Sequence, residues 1–126
     1  MTALYITSLT EHGGKTMLCA GLGKTWQSSG KKVGYLKLRL SSAGTDKDAE
    51  FVKQVLGLKE PLESLISSIE SKGDIAGVIK QAYQKVALEK DIVLIDGISL
   101  NASNTIIESL NAKVLAVHDY STSLIS

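Results

Sequence analysis

Short runs of aliphatic and β-branched residues alternate along this chain with longer segments whose apolar residues recur at helical spacing, and this alternation restricts the fold more than any other feature. Residues 3–8 give the first strand pattern, followed by a polar loop that closes on Gly13 and Gly14. Met17, Leu18, Leu22, Thr25 and Trp26 mark a helix over about residues 14–29, stopped at Gly30. A second strand follows at residues 33–38. After a Ser/Gly/Thr-rich loop at 41–46, Ala49, Val52, Val55 and Leu56 mark a short helix that Gly57 ends. Pro61 begins another element, and Ile66, Ile69, Ile75, Val78, Ile79, Ala82, Tyr83 and Val86 predict helix up to Lys90, in two pieces split near Gly73. Residues 91–97 are almost continuously apolar with an acidic end, the pattern of a central parallel strand covered on both faces. A short helix at 105–110 and a strand at 113–117 complete the series. About four strands separated by helices predict an α/β fold: a three-layer parallel sheet with right-handed crossovers, helices on both faces and ligands at the carboxyl ends of the strands.

The 126 residues fit one domain. Hydrophobic residues at 44% and charged residues at 21% argue against disordered and low-complexity classes. With 14 Lys plus Arg against 13 Asp plus Glu, nothing draws the chain as a whole to nucleic acid or anionic lipid, so any anion binding is local. The single cysteine, Cys19, forms no internal disulfide, and no Cys/His spacing suits zinc, which points to a reducing compartment. The apolar runs fall far short of the roughly 20 residues that span a bilayer, and the N-terminus lacks a signal-peptide pattern. A cytoplasmic protein with no membrane partner is expected. A four-stranded parallel sheet is small, and the sequence ends about nine residues after its last strand, so it is expected to be part of a larger chain.

The motif that carries chemistry is Thr7-Ser8-Leu9-Thr10-Glu11-His12-Gly13-Gly14-Lys15-Thr16, at the junction of the first strand and the first helix. A phosphate loop belongs at such a junction. Leu9 stands where the strict pattern has its first glycine. The physical logic survives: a Gly13-Gly14 turn lets backbone N–H groups converge on an anion at a helix N-terminus, Lys15 reaches phosphate oxygens, and Thr16 can ligate magnesium. Glu11, His12, Gly13, Gly14, Lys15, Thr16 and Met17 form the candidate nucleotide-binding stretch. Gly23-Lys24-Thr25 repeats the tripeptide inside the helix, where backbone N–H groups are already bonded, and is structural.

Three carboxylates stand where a phosphate-loop fold holds its metal: Asp46 and Asp48 after the second strand, and Asp96 at the end of the third. Asp46 serves equally as a helix cap, with Asp48 stabilising the first turn. For Asp96 the metal role is favoured, because an unpaired buried carboxylate is costly. Lys37 and Arg39 share one face of the second strand, where Lys37 either meets a substrate anion or lies on a solvated edge. His12 and His118 show no partner, and Cys19 reads as a core residue.

Together these residues resemble the dethiobiotin synthetase and cobyrinic acid diamide synthase group of phosphate-loop NTPases, over residues 3–120 or so. That group has one extra residue in its loop, and Ser8 stands where its first glycine would be. Val33-Gly34-Tyr35-Leu36-Lys37 is similar to its Gly-Tyr-x-Lys-Pro strand, with Leu38 in place of proline; Asp48-Ala49 matches its Asp-Ala turn; and residues 92–97 look like its Val-Leu-Ile-Glu-Gly strand, with Asp for Glu. The opening Leu4-Tyr5-Ile6-Thr7-Ser8 and residues 48–58 are also similar to the dethiobiotin synthetase-like N-terminal domain of phosphotransacetylases and DRTGG-domain proteins, which is thought to be regulatory. The resemblance implies ATP and Mg2+ as cofactors, Lys15 and Lys37 as catalytic residues, and Thr16, Asp48 and Asp96 as metal ligands. It implies phosphorylation of a carbamate or carboxylate for ring closure or amidation, or else a non-catalytic nucleotide-sensing or self-association role, in a homodimer or fused to another domain. Residues 98–103 replace the family's Gly-rich stretch, and its adenine-binding loop lies beyond residue 126.

Overall fold

The computed structural model describes residues 2–8, 14–40, 46–69, 74–98 and 104–117. In chain order these form β1 (Thr2–Ser8), α1 (Lys15–Ser28), β2 (Val33–Arg39), α2 (Lys47–Leu56), one turn of 3-10 helix (Leu62–Leu65), β3 (Ile66–Ser68), α3 (Ile75–Ala87), β4 (Ile92–Asp96), α4 (Asn104–Leu110) and β5 (Lys113–Val117). Local chemistry sets several of the boundaries. Asp46 caps α2 by accepting from the Ala49 N–H at 3.0 Å, and Gly57, in the left-handed region at φ 63°, ends it. Asp74 caps α3 in the same way through the Gly77 N–H. No helix among the described residues is long and apolar enough to cross a membrane.

The five strands pair in the order β3-β2-β4-β1-β5, all parallel. Register decides which side chains share a face, because residues paired across parallel strands point the same way. Lys37, Asp96 and Ile6 therefore lie on one face, together with Tyr35 and Leu94 two residues earlier. This face receives α1, whose Thr16 bonds to Asp96, and α2 packs beside α1 through Gly23 and Leu56. Leu36, Ile95 and Tyr5 occupy the opposite face, where a methyl group at Gly34 would meet the Val86 carbonyl of α3 at 2.8 Å. Helices thus cover both faces. Tyr5, Ile6, Tyr35, Leu36, Leu94 and Ile95 are wholly buried between the layers. β5 forms the outer edge and leaves Val114 46% exposed.

Among the described residues the sheet has five strands, one more than the periodicity predicts. Ile66 and Ile69 are three apart and mimic a helical face, yet residues 66–68 pair with Lys37, Leu38 and Arg39, and the Ile69 N–H donates to the Arg39 carbonyl at 2.7 Å. Three residues are too few for a period to declare itself, and the neighbouring strand makes the choice. β3 also places β2 inside the sheet, so Lys37 is not on an edge strand. The predicted break near Gly73 lies outside the described residues. α3 closes at Ala87, three residues before Lys90, because Leu88 leaves the helical region and Glu89 takes φ 61°.

Candidate phosphate-loop site

The chain leaves β1 toward α1 and β2 on one side of the sheet, and leaves β4 toward α4 and β5 on the other. The crevice at the carboxyl ends of β1 and β4 is therefore a topological switch point, the usual ligand position in such sheets. At its mouth Gly14 takes φ 74°, a turn that favours glycine, and passes straight into α1. Lys15 and Thr16 are the first two residues of that helix. Lys15 Nζ donates to Ser8 Oγ at 3.5 Å, across the space between the end of β1 and the start of α1. Thr16 Oγ1 donates to Asp96 Oδ2 at 3.0 Å, and the buried Tyr35 hydroxyl donates to the same oxygen at 2.8 Å.

Burial raises the Asp96 carboxyl above the ordinary carboxylate range, while the bonds from Tyr35 and Thr16 and the charges of Lys37 and Lys15 oppose the rise. Burial, followed by the nearby Asp96 charge, pushes the Tyr35 phenol upward, so it remains a donor at any working pH. The folded chain accordingly holds the Asp96 proton more tightly than the unfolded chain does. This contribution to stability is full below the unfolded carboxyl value and is lost as pH rises through the folded one. In urea melts of nucleotide-free and metal-free chain, Asp96→Asn should remove that component. The midpoint difference between variant and wild type should then move in favour of Asn as pH rises across the acidic range, and a difference independent of pH would show Asp96 to be unperturbed.

A second cluster lies at the carboxyl end of β2. Lys37 Nζ donates to Asp46 Oδ1 and to Asp48 Oδ2, both at 3.1 Å, and Arg39 Nη1 lies 3.6 Å from Asp46 Oδ2. Arg39 Nε also donates to Ser68 Oγ of β3 at 3.2 Å. Burial alone would lower the Lys37 pKa, but its bonds to Asp48 and Asp46 outweigh burial and raise it. Asp46 is therefore the cap of α2 and an ion-pair partner at once. Register sets Lys37 opposite Asp96, yet the Lys37 ammonium turns to α2 and leaves Asp96 to Tyr35 and Thr16.

Beyond β4 the backbone is tied to β1. The Thr7 hydroxyl donates to the Ile98 carbonyl at 2.7 Å, and the Ile98 N–H donates to the Tyr5 hydroxyl at 3.2 Å.

Of the residues singled out from sequence, Gly14, Lys15, Thr16 and Asp96 meet in the crevice, while Asp48 pairs with Lys37 and is 60% exposed. Met17 is 66% exposed on the first turn of α1. Glu11, His12, Gly13 and His118 lie outside the described residues. Among the described residues no three or more His, Cys, Asp or Glu side chains come together in a way that could hold a metal ion by themselves. Gly23-Lys24-Thr25 is helical and Cys19 is buried, with its thiol pushed upward first by burial and then by Asp96. Sequence alone assigns no separate role to Tyr35, Tyr5 or Thr7, although Thr7 opens the loop motif and Tyr35 stands in the Gly-Tyr-x-Lys strand; a hydroxyl inside a buried strand is the signal that could have found their bonds.

A parallel sheet whose connections part at β1 and β4, with a lysine and a threonine opening the helix after β1 and an aspartate closing β4 beside them, is the arrangement of the phosphate-loop NTPases. The model of the AAA_26 family, an AAA domain, matches residues 2–126, and the chain belongs to that family. It is 28% identical over 110 residues to the ATP-dependent dethiobiotin synthetase BioD of Brachyspira hyodysenteriae and 32% identical over 107 residues to that of Methanococcus vannielii. Each match covers 75% of this chain and 50% of the relative, so the chain matches about half the length of these curated relatives. Among solved structures, the cell division protein FtsY of Thermotoga maritima matches 98% of this chain and 45% of its own. Its TM-score is 0.59 at 21% identity, a likeness of fold.

Proposed function

We propose that this chain binds ATP with magnesium at the β1/β4 crevice and, as in the dethiobiotin synthetases it is similar to, directs the γ-phosphoryl group to a carbamate or carboxylate acceptor. The observation that carries this reading is the meeting of Lys15 and Thr16, at the start of α1, with the buried Asp96. The donor set suits magnesium: Thr16 spends its one proton on Asp96, so its oxygen keeps only lone pairs, and the carboxylate beside it is a hard anionic ligand. Thr16 and Asp96 would hold the ion, joined by Asp48 once that side chain leaves Lys37. Magnesium supplies neutralisation of phosphate charge. Lys15 stabilises charge on the phosphoryl oxygens, and Lys37 orients the acceptor anion.

A second reading, a nucleotide sensor without transfer, draws support from Lys37, whose ammonium is held by two carboxylates and so faces no acceptor. Calorimetric titration with ATP, ADP and a non-hydrolysable analogue, with and without Mg2+, tests the shared core of both readings. Magnesium-dependent binding is expected, and no binding at millimolar nucleotide would refute both. Phosphate release then separates transfer from sensing.

A further inference from the structure

The acidic end of β4 is held from two sides. Thr16 reaches Asp96 Oδ2 from α1, and Tyr35 reaches the same oxygen from β2. The register explains why residue 35 can do this. Tyr35 pairs with Leu94, two residues short of Asp96 on the same face, and a phenol is long enough to carry its hydroxyl forward to the carboxylate. Lys37, directly opposite Asp96, is drawn away to Asp46 and Asp48, so among the described strand residues it is the Tyr35 side chain that bonds to the Asp96 carboxylate. The ring is 0% exposed and wedged in the core, which fixes the hydroxyl in place.

Resting on the magnesium-nucleotide reading above, we propose that Tyr35 is a positioning residue for the cation: its hydroxyl locks the Asp96 carboxylate against Thr16, so that both oxygen ligands are presented together. Tyr35 itself touches neither nucleotide nor metal. Outer partners that orient metal ligands typically change metal affinity 10- to 100-fold when removed. A tyrosine that only fills the core would change stability and leave the cation dependence alone.

The test is Tyr35→Phe, which keeps the ring and removes the hydroxyl, with ATP affinity measured across a Mg2+ series and in EDTA. The Mg2+ concentration for half-maximal tightening should rise about 10- to 100-fold, while the metal-free affinity moves far less. An unchanged Mg2+ midpoint in a folded variant would overturn the positioning role and leave the proposed function standing. A wild-type chain whose ATP affinity ignores Mg2+ would overturn both. Should the variant not fold, wild-type chain carrying a ring-carbon label at tyrosine answers by nuclear magnetic resonance. The Tyr35 signal should shift when Mg2+ joins bound ATP, and a signal that stays put would overturn the proposal.

Discussion

Lys15→Ala should leave the chain folded and weaken ATP binding by about tenfold to a hundredfold, the loss expected when one charge-assisted contact of about 1.5–3 kcal/mol to phosphate is removed. Lys15 opens α1, and the one described bond of its side chain is the 3.5 Å contact to Ser8, so little of the native structure depends on that side chain. Alanine is also a better helix former at that position than lysine. Melting temperature should therefore hold while calorimetric affinity drops. ATP binding at wild-type strength would remove the phosphate-loop reading, and a collapse in melting temperature would show Lys15 to be structural.

Gly97→Ala should destabilise the chain by about 2–3 kcal/mol, toward the upper end of what overpacking costs. The added methyl would land on the Tyr5 ring, with the phenol oxygen 2.7 Å away. That ring cannot retreat, since Tyr5 is 0% exposed and its hydroxyl accepts the Ile98 N–H. Gly97 is held in turn by its own N–H, which donates to the Ile6 carbonyl at 2.8 Å. Tyr5→Leu in the Gly97→Ala background should recover part of the loss, because a shorter side chain vacates the contested space. Such coupling is what a double-mutant cycle detects. Additive effects in denaturant melts would mean that Tyr5 and Gly97 do not compete. The glycine after the acidic strand is therefore tied to packing between β1 and β4.

Much of this molecule is legible in the residue order. Alternating strand and helix patterns are local and long enough to show their periods, so β1, α1, β2, α2, α3, β4, α4 and β5 can all be read from them. Gly14, Lys15 and Thr16 are legible as well, because a phosphate loop is one contiguous stretch at one junction. Even the Gly57 stop of α2 follows from local backbone chemistry.

What tertiary structure alone decided is which side chains meet across strands. β3 exists because β2 offers three residues an open edge to pair with, a relation over some 29 residues of chain that no short window contains. Lys37 lies opposite Asp96 in the sheet yet bonds to Asp46 and Asp48, because the cap and first turn of α2 bring those carboxylates within reach of its ammonium. Tyr35 bonds to Asp96 across 61 residues of sequence because parallel register and ring length happen to agree. Periodicity reports which face a residue occupies. The partner it finds there depends on strand order and register, and these are set by how the whole sheet buries its two faces.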